Sequence, residues 1–164
     1  MTKIGMTFSA VYHPVSTAPC GPRLCTWNAR SLFPRRTESR KRKLKFLLSE
    51  LLPSADLVCV QEVRGDDVLN AVALRHLERS WHVFLDHHPT RRKGGLLTLA
   101  RKSAFPSAEP TYSSCAVGRI GHLALSSPSA CWVVWNVHNY GLAMQEFVTF
   151  VLWFGMITGL SENG

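Results

Sequence analysis

From Arg23 onward the chain breaks into short apolar runs separated by polar turns. Arg23-Leu24-Cys25-Thr26-Trp27-Asn28 reads as a strand, followed by a loop that ends near Pro34. From Thr37 to Leu52 the period lengthens. Leu44, Leu47, Leu48 and Leu51 recur at helical spacing, while Arg40, Lys41, Lys43 and Lys45 fall largely on other faces. Thr37 is the expected N-cap and Pro53 the expected stop. Over residues 55–63 the apolar run Leu57-Val58-Cys59-Val60 is continuous, as in a strand covered on both faces. A second helix is expected over residues 66–79, with Val68, Leu69 and Val72 facing inward.

Trp81 to Leu85 and Gly95 to Ala100 read as two strands joined by the polar turn His87 to Lys93. A further pair, Arg119 to Leu125 and Cys131 to His138, is separated by Ser126-Ser127-Pro128-Ser129. Residues 1–21 read as an irregular lead-in with Pro14 and Pro19 as breakers, and residues 142–154 as the start of another helix. The order β-α-β-α and then mostly β predicts an α/β fold, a mixed sheet flanked by helices. At 164 residues the chain suits one domain with a core of its own. It divides into the lead-in 1–21, a domain 22–141 and an apolar segment 142–164.

Charge adds a partner class. The formal net charge of +8 favours a polyanion such as DNA, with an anionic membrane surface as an alternative. Eight of the 19 Lys and Arg lie between Arg30 and Lys45, and none follows Arg119. Arg30, Arg35, Arg36, Arg40 and Lys41, with Arg91, Arg92 and Lys93 in the later turn, are the candidate nucleic-acid contacts. A basic run of this kind also serves as a solvated face or a nuclear-import signal. The five cysteines show no CxxC and no zinc-ligand spacing, and Cys59 and Cys131 sit inside apolar runs. With no signal-peptide pattern ahead of them, they predict an intracellular protein, nuclear or cytoplasmic. Residues 147–160 are apolar but short for a membrane span, so no membrane partner is expected.

The candidate chemistry sits at strand ends. One strand finishes in Asn28, the next in Gln61-Glu62, and the last in Asn136-Val137-His138. In open α/β sheets the ligand crevice lies beyond the carboxyl ends of the strands, where these groups could meet. The two-residue period places Asn136 and His138 on one face. Taken singly each has a plainer reading: Asn28 closes a loop, Glu62 is solvated at a strand end, and His138 is structural. A carboxylate closing so apolar a strand nonetheless calls for a partner or a cation.

These segments resemble the endonuclease/exonuclease/phosphatase (DNase I-like) superfamily. Leu24-Cys25-Thr26-Trp27-Asn28-Ala29-Arg30-Ser31-Leu32 is similar to its opening strand, and Asp56-Leu57-Val58-Cys59-Val60-Gln61-Glu62 to its Gln-Glu strand. Gly94-Gly95-Leu96-Leu97-Thr98-Leu99-Ala100 resembles the Gly-Gly strand, and Asn136-Val137-His138 the Asn-x-His strand end. The Trp-Asn-x-Arg-Ser-Leu form is most like the endonuclease domains of non-LTR retrotransposons. The resemblance implies that Glu62 is a ligand for Mg²⁺, with Mn²⁺ as a substitute. It also implies that Asn28 holds that carboxylate or a phosphate, that His138 contacts the scissile phosphate, and that Asn136 orients the site.

The family's later Gly-Asp-x-Asn and Ser-Asp-His motifs have no counterpart here, and no Asp follows His138. The expectation is therefore a partial DNase I-like four-layer sandwich lacking its second half. It would supply roughly one of the two sheets, with a missing half in another chain as one route to completion. Weak or no hydrolysis is expected, because general-base activation is worth about 10²–10⁴ in rate. Two further readings stay open: a nucleic-acid-binding module without catalysis, and a phosphatase of lipid or sugar phosphates.

Overall fold

The computed structural model describes residues 7–12, 21–65, 67–90, 94–128 and 130–138. Eight strands form two sheets of four. One has the order β1 (Thr7–Tyr12), β8 (Ala130–His138), β7 (Ile120–Ser127), β6 (Glu109–Ala116), and every pair in it is antiparallel. The other has the order β2 (Leu24–Asn28), β3 (Leu57–Gln61), β5 (Leu96–Arg101), β4 (Trp81–Asp86). It is mixed, since β2 runs parallel to β3 and the remaining pairs are antiparallel. The α/β expectation stands. The expectation of roughly one sheet is corrected, because the described chain builds both. Residues 1–21, read as irregular, contain β1, which pairs with β8 from Thr7↔His138 to Tyr12↔Val133.

Alternation along the strands sets the layers. Leu57 and Cys59 of β3, Ala100 of β5, Leu123 and Leu125 of β7 and Val134 of β8 share one buried cluster, so the sheets pack face to face. Phe84 of β4 stacks on Tyr112 of β6 across the same interface, with ring centroids 5.1 Å apart. The opposite face of β3 and β5 presents Val58, Val60, Leu97 and Leu99 to the helices. That double coverage explains why all five residues of β3 are buried.

Helix α1 (Thr37–Phe46) continues through a wide π-type turn, Leu47–Leu51, into α2 (Leu52–Ser54). The extra residue in that turn aims Leu47, Leu51 and Leu52 together into the core. Thr37 is the first helical residue rather than the N-cap; Arg36 takes that position without a side-chain cap. Pro53 lies inside the last turn, and the helix ends one residue later. Helix α3 (Asp67–Leu74) passes into a tighter turn, Arg75–Arg79. Here the inward face differs from the expected one. Val68 and Val72 are 70% and 65% exposed, and Asn70, Leu74 and Leu77 are the buried positions. No described helix is long and apolar enough to cross a membrane. Residues 147–160, and the helix expected over 142–154, lie outside the described residues.

One polar patch interrupts the apolar interface. Asn136 reaches from β8 into the other sheet, accepting from Gln61 Nε2 at 2.7 Å and donating to Thr98 Oγ1 at 3.1 Å and the Leu97 carbonyl at 3.2 Å. Gln61 also donates to Thr26 Oγ1 at 3.1 Å. Replacing Asn136 by Ala strands a buried Gln61 donor and the Leu97 carbonyl, so we expect a loss of about 2–4 kcal/mol in urea unfolding. Val72→Ala, on the exposed face of α3, is expected to stay within about 0.5 kcal/mol of the parent.

Candidate active site

Two parallel strands bring Asn28 and Gln61 into register. The chain then turns sharply beyond each strand. Glu62 follows β3 with φ 54°, and Arg30 and Ser31 follow β2 with φ 46° and 73°. Non-glycine residues rarely hold this region, and clusters of them mark places where the surroundings impose the conformation. Hydrogen bonds supply that constraint. Ala29 N donates to Gln61 O at 3.0 Å, Ser31 N to Glu62 O at 2.8 Å, and Val63 N to Gly95 O at 3.0 Å.

The result is a carboxylate facing an amide and an imidazole. Asn28 Nδ2 donates to Glu62 Oε1 at 3.0 Å, while Asn28 Oδ1 accepts from Arg30 N at 3.0 Å, which fixes the amide's orientation. His138 Nε2 stands 3.4 Å from the same Glu62 oxygen. Asn28, Glu62 and His138 thus meet in one place, as the strand ends foretold. His138 arrives from the second sheet, so the crevice lies between the ends of two sheets rather than beyond one. Asn136 shares the inward face with His138 but is buried beneath the site, where it joins the sheets.

Electrostatics keep the imidazole neutral. Burial pushes the His138 pKa below its ordinary value near 6.5, more than the adjacent Glu62 raises it. A neutral ring can donate to or accept from a substrate oxygen, the latter after a tautomer change.

Two groups at the site were not among the candidate residues. Lys43, assigned to the basic face of α1, points its ammonium into the loop after β2. There it donates to the carbonyls of Ala29 (2.5 Å), Arg30 (2.7 Å) and Ser31 (2.8 Å). It therefore fixes the left-handed pair that orients Asn28. Arg64 pairs with Glu62 Oε2 at 2.6 Å. The clue to Lys43 was its spacing beside Leu44 and Leu47 on the inward side of the helix.

The basic candidates differ in exposure and pairing. Arg30, Arg35 and Arg36 are exposed, Arg40 is half-buried, and Lys41 pairs with Glu38 at 3.1 Å. Arg91, Arg92 and Lys93 lie outside the described residues. His122 is half-buried on β7 against Trp135, with ring centroids 4.6 Å apart, away from the site cluster. The four described cysteines, Cys25, Cys59, Cys115 and Cys131, are free thiols.

The profile of the Endonuclease/Exonuclease/phosphatase family matches residues 25–144, which include Asn28, Glu62, Asn136 and His138. The chain belongs to this family. Comparison with curated proteins returns no match. Endonuclease/exonuclease/phosphatase members act on phosphate esters as nucleases or phosphatases and generally depend on a divalent metal. No group of three or more His, Cys, Asp or Glu capable of holding a metal occurs among the described residues. The donor set at Glu62 is one carboxylate with a neighbouring amide and imidazole. It suits a hard cation that keeps most of its water, as Mg²⁺ does.

Two outcomes follow from these contacts. Lys43→Met removes three hydrogen bonds from an ammonium, and we expect urea unfolding to show a loss of about 1–3 kcal/mol. The second concerns acid. His82, His122 and His138 all have pKa values lowered chiefly by burial. The native state then binds fewer protons than the unfolded chain. Its stability is fully present above pH 6.5 and is lost as pH falls through the lowered native values. The urea midpoint should hold between pH 7 and 8 and drop below about pH 6. A midpoint that rises on acidification would contradict the assignment.

Proposed function

We propose that the chain is a Mg²⁺-dependent phosphodiesterase-type domain of the endonuclease branch, retroelement-derived, whose hydrolytic activity on its own is weak. The observation that carries this reading is the placement of the Glu62 carboxylate against Asn28 and His138 at the meeting of two sheet ends. Glu62 would hold the cation, and Asn28 would keep the carboxylate turned toward it. A bound divalent ion supplies charge neutralisation at the phosphoryl oxygens and eases departure of the alkoxide. His138, neutral and almost buried, would hydrogen-bond a phosphoryl or leaving oxygen. Asn136 would act from below, by holding β8 in the position that presents His138.

Weak turnover follows from what the cluster contains. Among the described residues one carboxylate, that of Glu62, is joined to it, and no Asp–His pair stands ready to activate water. A missing general base lowers the rate by about 10²–10⁴. DNA is the preferred substrate, on the strength of the Trp27-Asn28-Ala29-Arg30-Ser31-Leu32 form and the exposed Arg30, Arg35 and Arg36.

The test is a supercoiled-plasmid nicking assay with Mg²⁺, run beside lipid and sugar phosphates. Slow nicking that Glu62→Gln abolishes is the expected result. Vigorous nicking sensitive to the same substitution would refute the claim of weakness. Release of phosphate from the small esters alone would move the protein to the phosphatase branch. DNA binding that falls steeply with salt but ignores metal and Glu62 would favour a non-catalytic binding module.

A further inference from the structure

Arg64 lies two residues past Glu62 in a turn where Glu62, Arg64 and Gly65 all have positive φ, at 54°, 50° and 110°. That turn folds the side chain of Arg64 back over the carboxylate it follows. Its backbone is anchored on both sides: Arg64 N donates to Gly94 O at 3.3 Å, and Asn70 Nδ2 donates to Arg64 O at 3.0 Å. The side chain is 39% exposed and its terminal nitrogen sits 2.6 Å from Glu62 Oε2. The carboxylate's other oxygen is already engaged by Asn28 and His138.

We infer that the Arg64 guanidinium is a built-in counter-cation that occupies Glu62 in place of a divalent ion, so that metal loading requires its displacement. This rests on the reading of Glu62 as the metal ligand. A Mg²⁺ ion binds a carboxylate oxygen at about 2.0–2.1 Å. An ion on the Arg64 side of Oε2 and a guanidinium nitrogen 2.6 Å from that oxygen cannot share the space, and their charges repel. Displacement needs only side-chain rotation, because both backbone anchors of Arg64 can stay in place. The closed pose is also imperfect. Arg64 Nε is buried and no group among the described residues accepts from it, so swinging outward returns a desolvated donor to water. Lys43 adds positive charge beside the same pair, its own pKa lowered by burial and by cations that include Arg64. Two protein cations therefore oppose the approach of a third.

The test is Mn²⁺ binding to the full chain, followed by titration calorimetry and by the signal of free Mn²⁺ in electron paramagnetic resonance. Arg64→Met should tighten Mn²⁺ binding by about two- to fivefold, the range of a partly exposed ion pair. Arg64→Lys, which keeps the charge, should stay near the parent value, and Glu62→Gln should abolish binding. In the parent protein, Mg²⁺ should shift the Arg64 Nε–H resonance and speed its exchange, a readout that needs no variant to fold. Equal Mn²⁺ affinity in parent and Arg64→Met, or an Arg64 resonance indifferent to bound Mg²⁺, overturns the counter-cation role and leaves Glu62 as ligand. Absence of Mn²⁺ binding in every form overturns the metal-site reading itself, and the inference with it.

Discussion

The hydrogen bond from Gln61 to Asn136 is the contact on which the rest of the arrangement depends. Two apolar sheets can slide over one another at little cost, since side chains such as Leu57, Leu123 and Val134 are hydrophobic in any register. Two buried amides cannot. Each must find its partner or lose a hydrogen bond in a dry interface. By tying the last residue of β3 to a residue near the end of β8, the amide pair sets the lateral offset of the sheets. One residue beyond Gln61 is Glu62, and two beyond Asn136 is His138. The geometry of the polar crevice is thus inherited from a contact beneath it.

How much of this was legible depended on the kind of signal. The convergence of Asn28, Glu62 and His138 could be read because strand ends are marked by abrupt changes from apolar to polar. The buried strand β3 could be read from its unbroken run. The second sheet was less visible. β1 lies just ahead of Pro14 in a stretch of mixed pattern, and β6 has an irregular burial pattern with exposed and half-buried residues in no clean alternation. The identity of β1 comes from long-range pairing with β8 that no local window contains, whereas β6 pairs with β7 in a local hairpin whose register shifts between Ser114 and Ala116. Helix α3 was misrotated because its two valines look like core residues. The buried face is instead set by Asn70, whose amide caps the turn after Glu62, together with Leu74 and Leu77.

Arg64 and Lys43 were missed for a common reason. Both are cations in a basic chain, and composition assigns such residues to a solvated or nucleic-acid-facing surface. Their positions depend instead on backbone conformation. The left-handed residues Arg30, Ser31, Glu62 and Arg64 expose carbonyls and redirect side chains in ways that sequence spacing does not encode. The local conformation that bends the chain around the crevice is also what recruits the cations.

The glycines at the far side of the crevice have one more consequence. Gly95 N donates to the carbonyl of Gly118, in the turn between β6 and β7, while Gly95 O and Gly94 O accept from Val63 and Arg64. A Cβ on Gly118 would lie 2.4 Å from the His88 backbone, so the two loops touch main chain to main chain. Hairpin tips ordinarily absorb insertions and grafted peptides freely. This one is a mechanical neighbour of the segment that carries the carboxylate. Lengthening it would reshape the crevice from behind, which makes it a poor place to attach a tag.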